Sequence, residues 1–116
     1  MTTESDCLFC KMASGAFPVD KLHEDGLVFA IRDINPRAPT HLLVIAHEHI
    51  PTAYHLDNEH GPLLAHMVTT AARLAEQFEF AEKGYRLTFN VGDEGGQSVY
   101  HLHMHVLGGR RLGPEA

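Results

Sequence analysis

The sequence predicts an α+β fold, in which a mainly antiparallel sheet of five strands packs with one long and one short helix. Three observations support this prediction. Short stretches alternate between polar and apolar residues, which is the period of a β-strand. One stretch in the middle of the chain repeats apolar residues at helical spacing. Turn signals separate the strand-like stretches, so hairpins are expected on both sides of the long helix.

The first half of the chain is predicted to form a short helix followed by three strands. "CLFCKMASG" has apolar residues at positions 8, 9 and 12 and ends on Gly15, a typical helix stop. "KLHED" and "LVFAIRD" are joined at Asp25 and Gly26, a strong hairpin signal. "NPRAPT" contains two prolines and predicts a loop, and the apolar run "HLLVIAH" predicts a central strand.

The second half is predicted to form the long helix and two further strands. From about Asn58 to Phe80 the apolar residues recur at helical spacing, and Gly84 follows as a helix stop. "YRLTFNV" predicts a strand, "GDEGGQS" a loop and "HLHMHV" the last strand. The repeating apolar residues of the helix are Leu63, Leu64, Met67, Ala71, Leu74, Ala75 and Phe78.

Length and composition limit the class of protein. The chain has 116 residues, of which 44% are hydrophobic and 21% charged, so we expect a single domain over 1–116, with 1–6 flexible. The net charge of -6 disfavours nucleic-acid binding by phosphate neutralisation. No apolar run approaches 18 residues and the polar start is unlike a signal peptide, so we expect a soluble cytoplasmic protein with no membrane partner.

The outstanding motif is the row of histidines in "YHLHMHVLGGR". On a strand, His101, His103 and His105 would project from one face, and the alternate residues Leu102, Met104 and Val106 would be buried. At about 3.3 Å per residue, the first and last histidines lie roughly 13 Å apart, which is too far for all three to share one metal ion. A row of imidazoles along an extended anionic ligand fits this spacing better.

The loop "GDEGGQS" leads directly into the histidine strand. Its glycines allow a ligand to approach backbone N–H groups, Ser98 adds a hydroxyl donor, and Asn90 lies near the same mouth, so the loop can hold phosphate oxygens. A neutral imidazole is a competent nucleophile toward phosphorus when its other nitrogen donates to a carbonyl. His103, the middle residue, is best placed for this attack. The alternative is a histidine-rich edge strand that has no functional role.

The chain resembles the histidine triad (HIT) family, and in particular its Hint branch of adenosine 5'-monophosphoramidases. The resemblance is carried by "CLFCKMASGAFP", "RDINPRAPTHLLVIAHEHI" and "KGYRLTFNVGDEGGQSVYHLHMHVLGGR", which together span nearly the whole chain. The last stretch is the most specific, because "GGQSVYH" followed by "VLGGR" is typical of Hint members. The resemblance implies the HIT fold, with the sheet extended across a homodimer, and a purine nucleotide such as AMP, GMP or their phosphoramidates as ligand.

The resemblance also implies the catalytic residues. His103 matches the nucleophile, and His105 and Ser98 match positions that hold α-phosphate oxygens, with the backbone near Gly96 assisting. His41 matches a histidine behind the triad that helps proton transfer. His101 is the remaining member of the triad.

The nucleotide-binding residues follow in the same way. Asp33 matches the carboxylate that accepts the ribose hydroxyls. Asn90 matches a position facing the phosphate, and Gln97 one near the leaving group. The base pocket of the family falls on apolar positions, for which ordinary core packing is the alternative: Phe9, Met12, Phe17 and Ile34. The tail "RRLGPEA" lacks the tryptophan of animal Hint proteins, which leaves the preference for the leaving group open.

The motif "CLFC" adds a candidate metal site. Two thiolates at this spacing readily share a zinc ion, but a closed tetrahedral site needs two more ligands, for which "HEH" offers His47 or His49 and the triad offers His101. Bacterial HIT proteins with this start imply a structural zinc site of Cys7, Cys10, His49 and His101. The alternative is a pair of free thiols.

The sequence therefore favours a hydrolase that cleaves the P–N bond of purine nucleoside 5'-phosphoramidates through a nucleotidyl-histidine intermediate. We expect catalysis to need no cofactor. Cleavage of dinucleoside polyphosphates is the alternative reaction. A nucleotide-binding regulator with incidental catalysis, or a zinc-binding interaction module, are the alternatives outside enzymes.

Overall fold

The helices and strands follow one another in the predicted order. A computed structural model describes residues 6–114, so residues 1–5 of the predicted flexible start lie outside the described residues. The elements are helix α1 (Leu8–Ser14), strands β1 (His23–Glu24), β2 (Val28–Arg32) and β3 (Thr40–Ala46), helix α2 (Gly61–Gln77), and strands β4 (Arg86–Thr88) and β5 (His103–Gly108).

The five strands form one sheet in the order β1-β2-β3-β5-β4, and every neighbouring pair is antiparallel. The prediction of a mainly antiparallel sheet with hairpins on both sides of the long helix is confirmed. Strand β3, the apolar run, lies at the centre as predicted. It pairs with β5 so that Ile45 lies opposite His103 and Leu43 opposite His105, which places both histidines at the middle of the sheet.

Both faces of the sheet are covered. Helix α2 packs on the face that carries Val44, Met104 and Val106. Helix α1 covers the other face, where Phe9 and its neighbours pack against Phe29 and Ile45. The prediction that the histidines stand on a surface outside the core is therefore wrong. His101, His103 and His105 are only 0%, 7% and 8% exposed, because Phe9 of α1 packs against the first two rings and His41 packs against the third.

The hairpin between β1 and β2 is held by a side chain. The Asp25 carboxylate accepts hydrogen bonds from the backbone N–H groups of Leu27 and Val28 (2.8 and 3.0 Å). Gly26 is not in the left-handed region, so this turn differs from the tight glycine turn expected from "DG". The same carboxylate accepts from His23 and His66 Nε2 (2.7 and 2.6 Å), which ties the hairpin to α2.

The ends of several elements differ from the predictions; β1, for example, covers only His23–Glu24 of the predicted strand "KLHED". Helix α2 begins at Gly61, after a 3-10 turn at Asn58–His60. It ends at Gln77, whereas the apolar repeat predicted a helix to about Phe80, and the chain leaves it through Glu79, which has a left-handed φ of 65°. Strand β4 covers only three of the seven residues predicted, and β5 starts at His103, so that His101 precedes the strand. Of the helices within residues 6–114, none has the length and apolar character needed to span a bilayer.

Candidate active site

His103 is held in one orientation by a backbone carbonyl. Its Nδ1–H donates to the carbonyl oxygen of His101 at 2.7 Å. This hydrogen bond puts the ring proton on Nδ1 and leaves a lone pair on Nε2, which has no hydrogen-bond partner among residues 6–114. The edge of the Phe9 ring packs against the imidazole, with ring centroids 5.1 Å apart. The ring is therefore fixed with a nucleophilic nitrogen available.

His105 carries the tautomer opposite to that of His103, because His41 donates a hydrogen bond to its Nδ1. The backbone N–H of Arg37 donates to His41 Nδ1 at 3.1 Å, so the proton of neutral His41 is on Nε2. That Nε2–H donates to His105 Nδ1 at 2.8 Å. Neutral His105 consequently carries its proton on Nε2. The two strand histidines thus offer different groups to a ligand, a lone pair from His103 and an N–H donor from His105.

Burial keeps these imidazoles neutral. It lowers the pKa of His103, against the opposing effects of the His101 carbonyl and Asp33. It lowers the pKa of His105 to about 4, assisted by the nearby His103 and His41 rings and the Arg37 charge. Burial also lowers the pKa of His41, although Asp33 acts in the other direction. Neutral imidazole is the form that can attack phosphorus.

Asp33 lies at the end of β2, beside this relay. One carboxylate oxygen accepts from the Asn35 backbone N–H at 2.8 Å, and the other lies 3.4 Å from His41 Nε2. The side chain is 18% exposed. The structure therefore brings the residue predicted to bind ribose next to the predicted proton-transfer histidine, with part of its carboxylate open to a ligand.

The loop before β5 is built by two amide side chains. Gln97 is buried: its amide donates to the carbonyls of Pro51 and Val99 and accepts from the Gly92 N–H. Its side chain therefore stabilises the loop, whereas the resemblance to the family implied a position near the leaving group. Asn90 donates to the Gly95 carbonyl at 2.8 Å.

Two other loop residues, Gly96 and Ser98, differ in whether a hydrogen-bond donor remains available to a ligand. The N–H of Gly96, which has a left-handed φ of 83°, is donated to the Asp93 carbonyl. Ser98 is exposed and makes no hydrogen bond among residues 6–114. Its hydroxyl is therefore free to donate to a ligand.

The four predicted base-pocket residues fall into two groups. Phe9 and Met12 are buried, at 4% and 7% exposure, in the core between α1 and the sheet. Phe17 and Ile34 are exposed, at 47% and 91%. Of the two aromatic residues in this set, Phe9 packs against the rings of His101 and His103, and Phe17 packs against no ring within residues 6–114. The packing alternative weighed for these positions thus applies to Phe9 and Met12, and the other two lie at the surface.

The predicted zinc ligands come together at the start of α1. One ligand atom from each of Cys7, Cys10, His49 and His101 lies within 4.8 Å of the other three. His101 Nε2–H donates to the Ala46 carbonyl at 2.6 Å, which leaves the Nδ1 lone pair facing the cluster. His101 therefore uses both ring nitrogens away from the Nε2 of His103, and its backbone carbonyl accepts the hydrogen bond from His103 Nδ1–H.

The distances in this cluster fit a tetrahedral metal site. His101 Nδ1 lies 3.2 Å from Cys7 Sγ and 3.1 Å from His49 Nδ1, and His49 Nδ1 lies 3.2 Å from Cys10 Sγ. Bonds of about 2.0–2.3 Å to zinc would place neighbouring ligand atoms about 3.3–3.8 Å apart. Small rotations of the side chains would supply the difference. Burial lowers the pKa of His101 to about 4, against the Ala46 hydrogen bond, so its neutral, metal-binding form is favoured.

A cavity of about 490 Å³ adjoins His105. Its charged lining residues were not predicted from the sequence. We call it the arginine cavity. Arg37, Arg86 and Arg110 line it, together with Asn90 and Thr88, and its lining contains no Asp or Glu. The signal available in the sequence was weak, because these arginines lie in three separate segments that only the fold brings together.

Comparisons with known proteins show which family this chain is similar to. A family model described as "HIT domain" matches residues 14–112. Purine nucleoside phosphoramidase of Escherichia coli K12 is 50% identical over 109 residues, which cover 94% of this chain and 92% of the relative. A HIT family hydrolase from Legionella pneumophila superposes with a TM-score of 0.90 at 48% identity, over 92% of this chain and 96% of its own. A zinc-bound histidine triad family protein from Mycobacterium smegmatis gives a TM-score of 0.78 at 30% identity, over 97% and 81%.

The buried His105 should make stability depend on pH. Its pKa of about 4 in the folded chain lies below the ordinary value of 6.5, so the unfolded chain binds the proton more readily. The resulting stabilisation is complete above pH 6.5 and is lost as the pH falls toward 4, by about 3 kcal/mol. We expect His105→Asn to lose correspondingly less unfolding free energy between pH 7 and 4, as measured by urea denaturation. An equal loss in both proteins would contradict this assignment.

Proposed function

Because the chain belongs to the HIT domain family, we propose that it is a hydrolase that cleaves the P–N bond of purine nucleoside 5'-phosphoramidates. The observation that carries the proposal is the hydrogen bond from His103 Nδ1–H to the His101 carbonyl, which leaves Nε2 as a fixed, unprotonated nucleophile. The Escherichia coli relative is named as an enzyme of this class, a purine nucleoside phosphoramidase.

The reaction proceeds in two displacements. His103 Nε2 attacks the α-phosphorus, the P–N bond breaks, and the leaving nitrogen takes up a proton and departs as the amine. The resulting nucleotidyl-histidine carries a positive charge on its ring, which the His101 carbonyl stabilises through Nδ1–H. Water then attacks the phosphorus, the P–Nε2 bond breaks, and nucleoside monophosphate is released with one proton. The same residues would attack a dinucleoside polyphosphate, with a nucleotide as the leaving group.

The neighbouring residues bind and orient the nucleotide. The Nε2–H of His105 and the hydroxyl of Ser98 donate to the α-phosphate oxygens, and His41 keeps His105 in the donor tautomer. The open oxygen of Asp33 accepts the ribose hydroxyls. These imidazole and hydroxyl donors supply the phosphate contacts that a divalent ion would otherwise make, so the proposed catalysis uses no added metal. In this proposal the base binds against the exposed apolar side chains of Phe17, which follows α1, and Ile34, which follows Asp33.

Replacing the nucleophile should stop turnover without abolishing binding. We expect His103→Ala to reduce hydrolysis of adenosine 5'-phosphoramidate by roughly 10³-fold or more, because no other lone pair replaces Nε2. AMP should still bind in calorimetry. Wild-type protein denatured during turnover without acid should carry a nucleotidyl adduct on His103, detected by peptide mass spectrometry.

The control for this experiment is His55→Ala, which changes an exposed histidine in the turn 53–55. It should retain wild-type turnover. Near-normal turnover in His103→Ala, or an adduct on another residue, would refute the mechanism.

We also propose that Cys7, Cys10, His49 and His101 hold a structural zinc ion. The lone pair that His101 Nδ1 turns toward the two thiols supports this assignment. The ion would join the start of α1 to the segment after β3 and to the residue whose carbonyl orients His103. Its contribution in this proposal is to stability and to the position of that carbonyl.

Metal analysis tests the zinc proposal. Protein purified without added zinc should contain about one equivalent, and Cys10→Ser should contain much less and unfold at lower temperature. His47→Ala is the matched control, because His47 belongs to the same "HEH" motif but lies outside the cluster. Less than about one tenth of an equivalent in the wild type would refute the proposal.

A homodimer that extends the sheet completes the proposed assembly. Strand β4 is the outer strand on its side of the sheet, and within residues 6–114 it pairs only with β5, so its other edge offers unpaired backbone groups. On α2, Val68 exposes 45% of its surface. We propose that a second copy covers this strand edge and this helix.

Light scattering after gel filtration should give twice the mass of one chain. Val68→Glu should shift the protein toward monomer, because it places a charge in the proposed interface. Leu27→Glu, which changes an exposed apolar residue on the β1-β2 hairpin at the opposite edge of the sheet, should leave the mass unchanged. A monomeric wild type would refute the dimer.

A further inference from the structure

The arginine cavity concentrates positive charge in an acidic chain. Acidic residues outnumber Lys and Arg by 15 to 9 in the sequence, yet the cavity lining contains three arginines and no carboxylate. None of the three forms a salt bridge within residues 6–114. Their positive charges are therefore available to an anion that enters the cavity.

Backbone contacts orient two of these guanidinium groups. Arg86 donates to the Gly113 carbonyl. Arg110 donates to the Arg37 and Arg111 carbonyls, at 3.3 and 2.8 Å. Each of these guanidinium groups has further N–H donors beyond the bonds named here. The tail after β5 is thereby attached to both sides of the cavity, which limits how far the arginines can move apart.

The cavity adjoins the candidate reaction centre, because His105 belongs to its lining. The positive charge of Arg37 acts on the pKa of that histidine. None of the lining residues belongs to α1, whereas Phe9 of α1 contacts His103. In-line attack by the His103 imidazole expels the leaving group on the side of the phosphorus opposite to that imidazole. A nucleotide with its base near α1 would therefore direct its leaving group toward the arginine cavity.

We propose that the arginine cavity is a subsite for an anionic leaving group, so that the preferred substrates carry a negative charge beyond the scissile P–N bond. This inference rests on the proposed function and adds the substrate class. A volume of about 490 Å³ lies within the range of about 300–1,000 Å³ typical of small-molecule sites, so the cavity has room for more than the α-phosphate. A guanidinium pairs equally well with the carboxylate of an amino acid or with the phosphates of a polyphosphate chain.

A pair of substrates that differ in one charge tests the subsite. The two adenosine 5'-phosphoramidates carry the same amino acid as leaving group, once with its free carboxylate and once as the neutral carboxamide. We expect the wild type to prefer the carboxylate by about tenfold in kcat/KM. The double variant Arg37→Gln, Arg110→Gln should reduce this ratio toward one. Arg73→Gln, on the exposed side of α2, is the matched control and should keep the wild-type ratio.

Binding to His103→Ala separates this inference from the proposed function. In that variant the dissociation constants of the two compounds are compared by calorimetry without turnover. The subsite is supported if the carboxylate compound binds more tightly than the carboxamide and this difference disappears when the two arginine substitutions are added. This result would support the subsite even if the wild type hydrolyses neither compound. Equal binding and equal kcat/KM for the two compounds, with ADP bound no more tightly than AMP, would overturn it. ADP binding about tenfold tighter than AMP, with the two amino-acid compounds equal, would assign the subsite to a phosphate chain.

Discussion

The hydrogen bond from His103 Nδ1–H to the carbonyl of His101 is the interaction on which the candidate active site depends. It orients the imidazole, sets its tautomer and stabilises the charge that would form on the ring. The carbonyl itself belongs to a residue whose own ring is held by Ala46 and directed toward two cysteines. The candidate zinc cluster and the candidate nucleophile are thus connected through a single residue, and a movement of His101 would disturb both.

The histidines of the site are held neutral by the core that surrounds them. Burial lowers the pKa of His41, His103 and His105 together. The chain of hydrogen bonds from Arg37 through His41 assigns the remaining protons of His41 and His105, and the His101 carbonyl assigns that of His103. Exposed imidazoles would be partly protonated near neutral pH and free to change tautomer. The same burial that prepares His105 and His103 for chemistry makes the folded state sensitive to acid, because protonation inside the core is unfavourable.

The charge distribution across the site is uneven. Asp33 lies at the end of β2, near His41, whereas the lining of the cavity beside β4 and the tail contains only positive charge. An extended ligand laid across the histidines would therefore meet a hydrogen-bond acceptor at one end and cations at the other. Such an arrangement suits a nucleoside with free hydroxyls on one side of the phosphorus and an anion on the other.

Local sequence patterns determined the order of the elements, the central apolar strand and the register that places His103 and His105 on one face, because side-chain periodicity needs only the neighbouring residues. They also identified Cys7, Cys10, His49 and His101, through spacing and the resemblance to a family. Tertiary structure alone decided that the histidine face is buried, that Gln97 holds its loop, and that Arg37, Arg86 and Arg110 surround one cavity. These facts depend on contacts between segments far apart in the chain, which no local pattern encodes.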